Sequence, residues 1–85
     1  MEIQKQKEII EAILFSAGRV VTQEELVLAL EIDKKQVEEL VKNMQKDFAN
    51  RGIEIIKIED GYQLCSKKEY YEYIYPILDK RAKPN

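Results

Sequence analysis

The chain has 85 residues, 45% of them hydrophobic and 35% charged, a balance that suits one modest core and excludes a multidomain enzyme or a disordered chain. A net charge of −2 with a pI near 5.2 argues against a domain whose affinity rests on neutralising many phosphates. No apolar stretch approaches bilayer length, the N-terminal run MEIQKQKEIIEAILF mixes acids into its apolar positions unlike a signal peptide, and the single cysteine, Cys65, allows no intramolecular disulfide, so the chain reads as intracellular and reduced.

Taken in order, Ile9, Ile10, Ile13, Leu14 and Ala17 recur at helical spacing and predict a first helix from Lys5 to Ala17, stopped by Gly18. Arg19, Val20 and Val21 predict a brief strand. Thr22 followed by Glu25 is a capping-box signature for a second helix over 23–30, and Asp33 followed by Gln36 repeats it for a third. In that third helix Val37, Leu40, Val41, Met44 and Phe48 form one stripe that belongs to a core, with Gly52 as the stop.

The stretch IEIIKIEDGYQL, residues 53 to 64, places Asp-Gly between two β-prone runs and predicts a hairpin. A type I′ loop at Asp60-Gly61 sets Glu59 opposite Tyr62 and Lys57 opposite Leu64, with Ile53, Ile55, Tyr62 and Leu64 joining the hairpin to the core. Ile56 and Ile58 share the opposite face, so either a bulge shifts the phase or both faces are covered. A last helix over 67–80 spreads Tyr70, Tyr71, Tyr73, Ile74, Tyr75, Ile77 and Leu78 across an arc of about 200°, wider than one core contact requires. Pro76 predicts a kink or break near Tyr75. Residues 81 to 85, RAKPN, read as the start of a linker.

Helix, short strand, helix, helix, two-stranded hairpin, helix is the order of a winged helix-turn-helix, an α+β and mostly helical domain spanning residues 1–80. The chemistry available to it is narrow. Histidine is absent, one cysteine makes no zinc cluster, and Cys65 reads as a small packed strand residue. Gly18, Gly52 and Gly61 are too scattered to cradle a phosphate, and Glu24-Glu25 and Glu38-Glu39 read as solvated pairs beside apolar stripes. No catalytic, cofactor-binding or metal-ligating residue is assigned, and an enzyme is not expected.

Two binding surfaces are open on these residues. A DNA-binding regulator would use the helix over 34–50, in a segment (residues 34 to 51) where five bases stand against three acids, and present Lys34, Lys35, Lys42 and Lys46. Glu38 and Glu39 lie within that surface, and Glu59 and Asp60 occupy the hairpin tip where a DNA-reading wing needs cations. The other surface is apolar: Tyr70, Tyr71, Tyr73, Ile74 and Tyr75, with Ile56 and Ile58 of the hairpin, form a protein interface whose helix covers its own core with one flank and a partner with the other. Phe15 can adjoin it.

Two segments carry a family resemblance. IEAILFSAGRVVTQEEL, residues 10 to 26, and GIEIIKIEDGYQLCSKKEYYEYI, residues 52 to 74, resemble the opening and the hairpin of the segregation and condensation protein B family, in the right order and spacing. Val20 stands where that family often has Pro, and Asp60 where it often has a second Gly; a short strand and a tight turn remain available at both. The resemblance implies the N-terminal member of two tandem winged-helix domains, linked through residues 81–85 to the second. It also implies a non-enzymatic, homodimeric subunit without cofactors, cytoplasmic and nucleoid-associated. Such a subunit binds the kleisin, segregation and condensation protein A, and through it the SMC ATPase in chromosome condensation and segregation.

Overall fold

A computed structural model describes residues 1–78. The elements follow the expected order: α1 (Ile3–Ala17), β1 (Val21–Thr22), α2 (Gln23–Leu30), α3 (Lys34–Asp47), β2 (Ile53–Ile58), β3 (Gly61–Ser66), a 3₁₀ turn (Lys68–Tyr70) and α4 (Tyr71–Leu78). The linker expected over 81–85, and the end of the last helix near Lys80, lie outside the described residues.

Helix boundaries follow local chemistry. Gly18 takes the left-handed conformation, φ 62°, at the end of α1. Both capping boxes are closed: Thr22 Oγ1 accepts from the Glu25 amide at 3.1 Å while Glu25 Oε1 accepts from the Thr22 amide at 2.9 Å, and Asp33 and Gln36 exchange the same pair at 2.8 and 3.0 Å. Such a cap is worth about 1 kcal/mol. The short link from α2 to α3 turns on Glu31, left-handed at φ 57°, whose amide donates back to the Val27 carbonyl.

The stripes of α1, α2 and α3 meet in one core. Ile10, Leu14, Leu26, Val37 and Val41 are almost wholly removed from water, with Leu30, Leu40, Met44 and Phe48 around them and Ile9, Ile13 and Ala17 on the margin. The sheet closes one side in the order β1-β3-β2, antiparallel throughout, and contributes Val21, Ile55 and Tyr62. Ile53 and Leu64 pack against these from the margin, so all four expected hairpin residues face the core.

Three local expectations are corrected and one open alternative is decided. The hairpin loop is Glu59-Asp60, not Asp60-Gly61: Ile58 pairs with Gly61, Lys57 with Tyr62 and Ile55 with Leu64. Of the two loop residues Glu59 alone has positive φ, 54°, whereas a type I′ turn needs it at both. Gly61 serves a different purpose, because a Cβ there would lie 2.6 Å from Val20 Cγ1 and 2.7 Å from the Val21 carbonyl oxygen. It is the point where β1 crosses close to β3. Next, α3 stops at Asp47, with Phe48 as its cap, five residues before Gly52.

The third point decides the alternative between a bulge and two covered faces against the bulge. The β2–β3 register runs unbroken from Ile53↔Ser66 to Ile58↔Gly61, so the phase never shifts and Ile56 and Ile58 do share the outer face. The fourth concerns the last helix. It begins after the 3₁₀ turn rather than at Lys67, and of the kink or break expected near Tyr75 the break does not occur, since the helix continues through Pro76.

Candidate protein-interaction surface

The sites open to chemistry are few. Cys65 is half-buried in β3, its Sγ 3.7 Å from the Gln63 carbonyl oxygen, and burial, with the Glu54 charge behind it, pushes its thiol pKa up, away from a reactive thiolate. Among the described residues no cluster of His, Cys, Asp and Glu side chains is arranged to hold a metal ion, and no helix is long and apolar enough to cross a membrane.

The acidic pairs separate in space. Glu24 is exposed, whereas Glu25 closes the α2 cap and takes a two-pronged contact from Arg19 at 3.0 and 3.1 Å. That hydrogen bond, helped by the Thr22 amide, holds the Glu25 carboxyl down at about 2. Glu39 is exposed, but Glu38 is half-buried and accepts from Gln23 Nε2 at 3.2 Å, which corrects the reading of a solvated pair. Gln23 is 2% exposed and also donates to the Tyr62 hydroxyl at 2.8 Å. One buried amide thereby ties the start of α2 to α3 and β3. Its sequence position announced only a helix start, and its partner lies 39 residues away.

The basic surface is present and divided. Lys34, Lys35, Lys42 and Lys46 are all exposed on α3. At about 100° per residue Lys35, Lys42 and Lys46 fall in one outward row, and Glu39 falls in the same row. The hairpin tip carries Glu59 and Asp60, and the Asp60 carbonyl is engaged by the Gln23 amide at 2.8 Å, which holds the tip against α2. Neither feature supplies a continuous cationic face.

The second surface is apolar. No residue of α4 is buried and none enters the core, so the expectation that one flank of this helix covers the core is overturned. Tyr73, Tyr75, Ile77 and Leu78 are each more than half exposed and Tyr70 is 40% exposed. Tyr71 and Ile74 are half-buried, and the Tyr71 and Tyr75 rings lean together with centroids 5.6 Å apart. A hydrogen bond to Glu69, and its charge, raise the Tyr70 phenol pKa and keep that hydroxyl a neutral donor. The outer face of the hairpin adds Ile56, half-buried, and Ile58, 38% exposed. Phe15 and Leu28 are also open, at 78% and 79%; Leu28 escaped the sequence reading because it sits beside the apolar stripe of α2.

Three helices on a small antiparallel sheet, with a hairpin wing and a trailing helix, define a winged-helix domain. The chain belongs to the family described as segregation and condensation complex subunit ScpB, whose model matches residues 8–85. It is 41% identical to segregation and condensation protein B of Acetivibrio thermocellus over 98% of this chain and 43% of that protein. It is 36% identical to the protein of the same name from Clostridioides difficile over 91% of this chain and 45% of the relative. The chain thus spans less than half the length of these relatives. Two solved structures share the fold. The ScpB of Mycobacterium tuberculosis matches with a TM-score of 0.87 at 21% identity, over 100% of this chain and 54% of the other. A dimer of an ScpB N-terminal domain complexed with ScpA peptide matches at 0.83 and 24% identity, over 89% of this chain and 98% of the other.

Proposed function

We propose that this domain is the N-terminal assembly module of a non-enzymatic, cytoplasmic and nucleoid-associated subunit of the SMC–kleisin condensin complex, acting in chromosome condensation and segregation. It pairs with a second copy of itself and helps seat the kleisin subunit, segregation and condensation protein A, which connects it to the SMC ATPase. The second winged-helix domain of such a subunit follows through a linker that begins near residue 81.

One observation carries the reading: α4 presents Tyr70, Tyr73, Tyr75, Ile77 and Leu78 to solvent while giving nothing to its own core. An apolar, aromatic face of this kind on a small domain gains its stability from a partner. Family membership supplies the partner class, and the N-terminal domain of similar fold solved with ScpA peptide is itself a dimer. Tyr70, Tyr71, Tyr73, Ile74 and Tyr75 form the centre of the interface, and Ile56 and Ile58 extend it across the hairpin.

Sedimentation of the Tyr71→Ala and Tyr75→Ala proteins tests the assignment. Weaker self-association in either supports it, and unchanged mass in both removes these residues from the interface. The DNA-binding reading through Lys34, Lys35, Lys42 and Lys46 is separated by a duplex titration at two salt concentrations. A phosphate-dependent binder shows a steep salt slope; this domain is expected to show none.

A further inference from the structure

The direction in which α4 leaves the domain has to be set by something other than core packing, since none of its residues is in the core. The joint between β3 and α4 supplies one residue with all its polar groups engaged. The Lys67 amide donates to the Gly52 carbonyl at 2.9 Å, extending the hairpin by one rung. Its own carbonyl accepts from the Tyr70 amide at 3.1 Å and so starts the 3₁₀ turn that leads into α4. Its side chain runs back across the domain, and Nζ donates to the carbonyl oxygens of Phe48 at 3.0 Å and Ala49 at 2.7 Å.

Those two carbonyls lie just past the end of α3, where backbone oxygens have lost their helical donors and the helix dipole is negative. The Phe48 oxygen receives one backbone donor, the Arg51 amide at 3.1 Å; the ammonium is its second. A compact cation with three donors suits a pair of adjacent carbonyls. Lys68, the next residue, is exposed.

We propose that Lys67 is the positioning residue for α4: by clamping the 3₁₀ joint onto the C-terminal carbonyls of α3, it fixes the angle at which the tyrosine-bearing helix is offered for assembly. The consequence for assembly rests on α4 being the interface; the consequence for α4's direction does not.

The direct test places spin labels at Leu78→Cys on α4 and Ala29→Cys on α2, in a Cys65→Ser background, diluted into unlabelled protein at a concentration where sedimentation gives the monomer. The expected distance distribution is narrow in the parent, broad in Lys67→Met, and narrow again in Lys67→Arg, which can still donate to both carbonyls. In unlabelled protein, Lys67→Met should weaken self-association roughly tenfold, the scale of a lost charge-assisted hydrogen bond. An equally narrow distribution in Lys67→Met overturns the proposal. A broad distribution with unchanged self-association keeps Lys67 as the clamp and overturns α4 as the interface. Should Lys67→Met fail to fold, the parent protein decides by NMR: the Lys67 ammonium protons must exchange with water far more slowly than those of Lys68, and equal rates overturn the clamp.

Discussion

The α1–α3 bundle and α4 are built from the same kinds of residues and reach opposite ends. In the bundle each apolar stripe is narrow and finds two neighbours, so Ile10, Leu26 and Val37 are fully buried. In α4 the apolar residues spread around most of the helix, and among the described residues none of them is buried, so Tyr73 and Ile77 stay about two-thirds exposed. Hydrophobic residues at helical spacing establish a helix; the width of the stripe separates a helix held by its own domain from one held by another chain.

Substitutions should divide along that boundary. Leu26→Ala, at a site 0% exposed, is expected to cost about 3 kcal/mol of unfolding free energy in urea denaturation. Gly61→Ala is expected to cost about 2 kcal/mol by the same measurement, because the new methyl meets the Val21 carbonyl as well as a side chain, and backbone yields less easily. Tyr73→Ala should change monomer stability by less than about 0.5 kcal/mol. A loss there as large as that at Leu26 would place α4 in the core and end the contrast.

The smallest effect lies at the Arg19–Glu25 pair. Its folded carboxyl titrates near 2 against an ordinary 4.5, so the stabilisation it provides is complete above about 4.5 and disappears as pH falls from there towards 2. Both side chains are exposed, and solvent screening keeps that contribution minor. Arg19→Gln should move the Glu25 titration upward, read by carboxyl chemical shifts, while the Thr22 amide still holds it below the ordinary value.

What the sequence made legible was whatever depends on near neighbours. Thr22 with Glu25 and Asp33 with Gln36 announce α2 and α3, and both capping boxes are closed. The stripe from Val37 to Phe48 is the core face of α3 and its cap. What remained hidden depends on distant partners. The Asp-Gly rule put the loop one residue late because Gly61 answers to β1, some forty residues upstream, rather than to the turn. Gln23 and Glu38 look like surface residues until the fold sets the Gln23 amide against both Glu38 and the distant Tyr62. The end of α3 was placed at Gly52 because its actual terminus is completed by Lys67, nineteen residues later. The arc of α4 is visible, and Pro76 predicts a kink or break there because nothing local shows that the helix begins only at Tyr71.

An eight-residue helix with no buried side chain has little stability of its own. Amide hydrogen exchange across a range of protein concentrations therefore tests most directly whether α4 is held by another chain. The amides of residues 71–78 should exchange rapidly in dilute solution and gain protection as concentration rises, while those of α1–α3 and of the β2–β3 ladder change little. Protection in α4 that is already full in the dilute monomer, or that appears on α3 instead, would contradict the account.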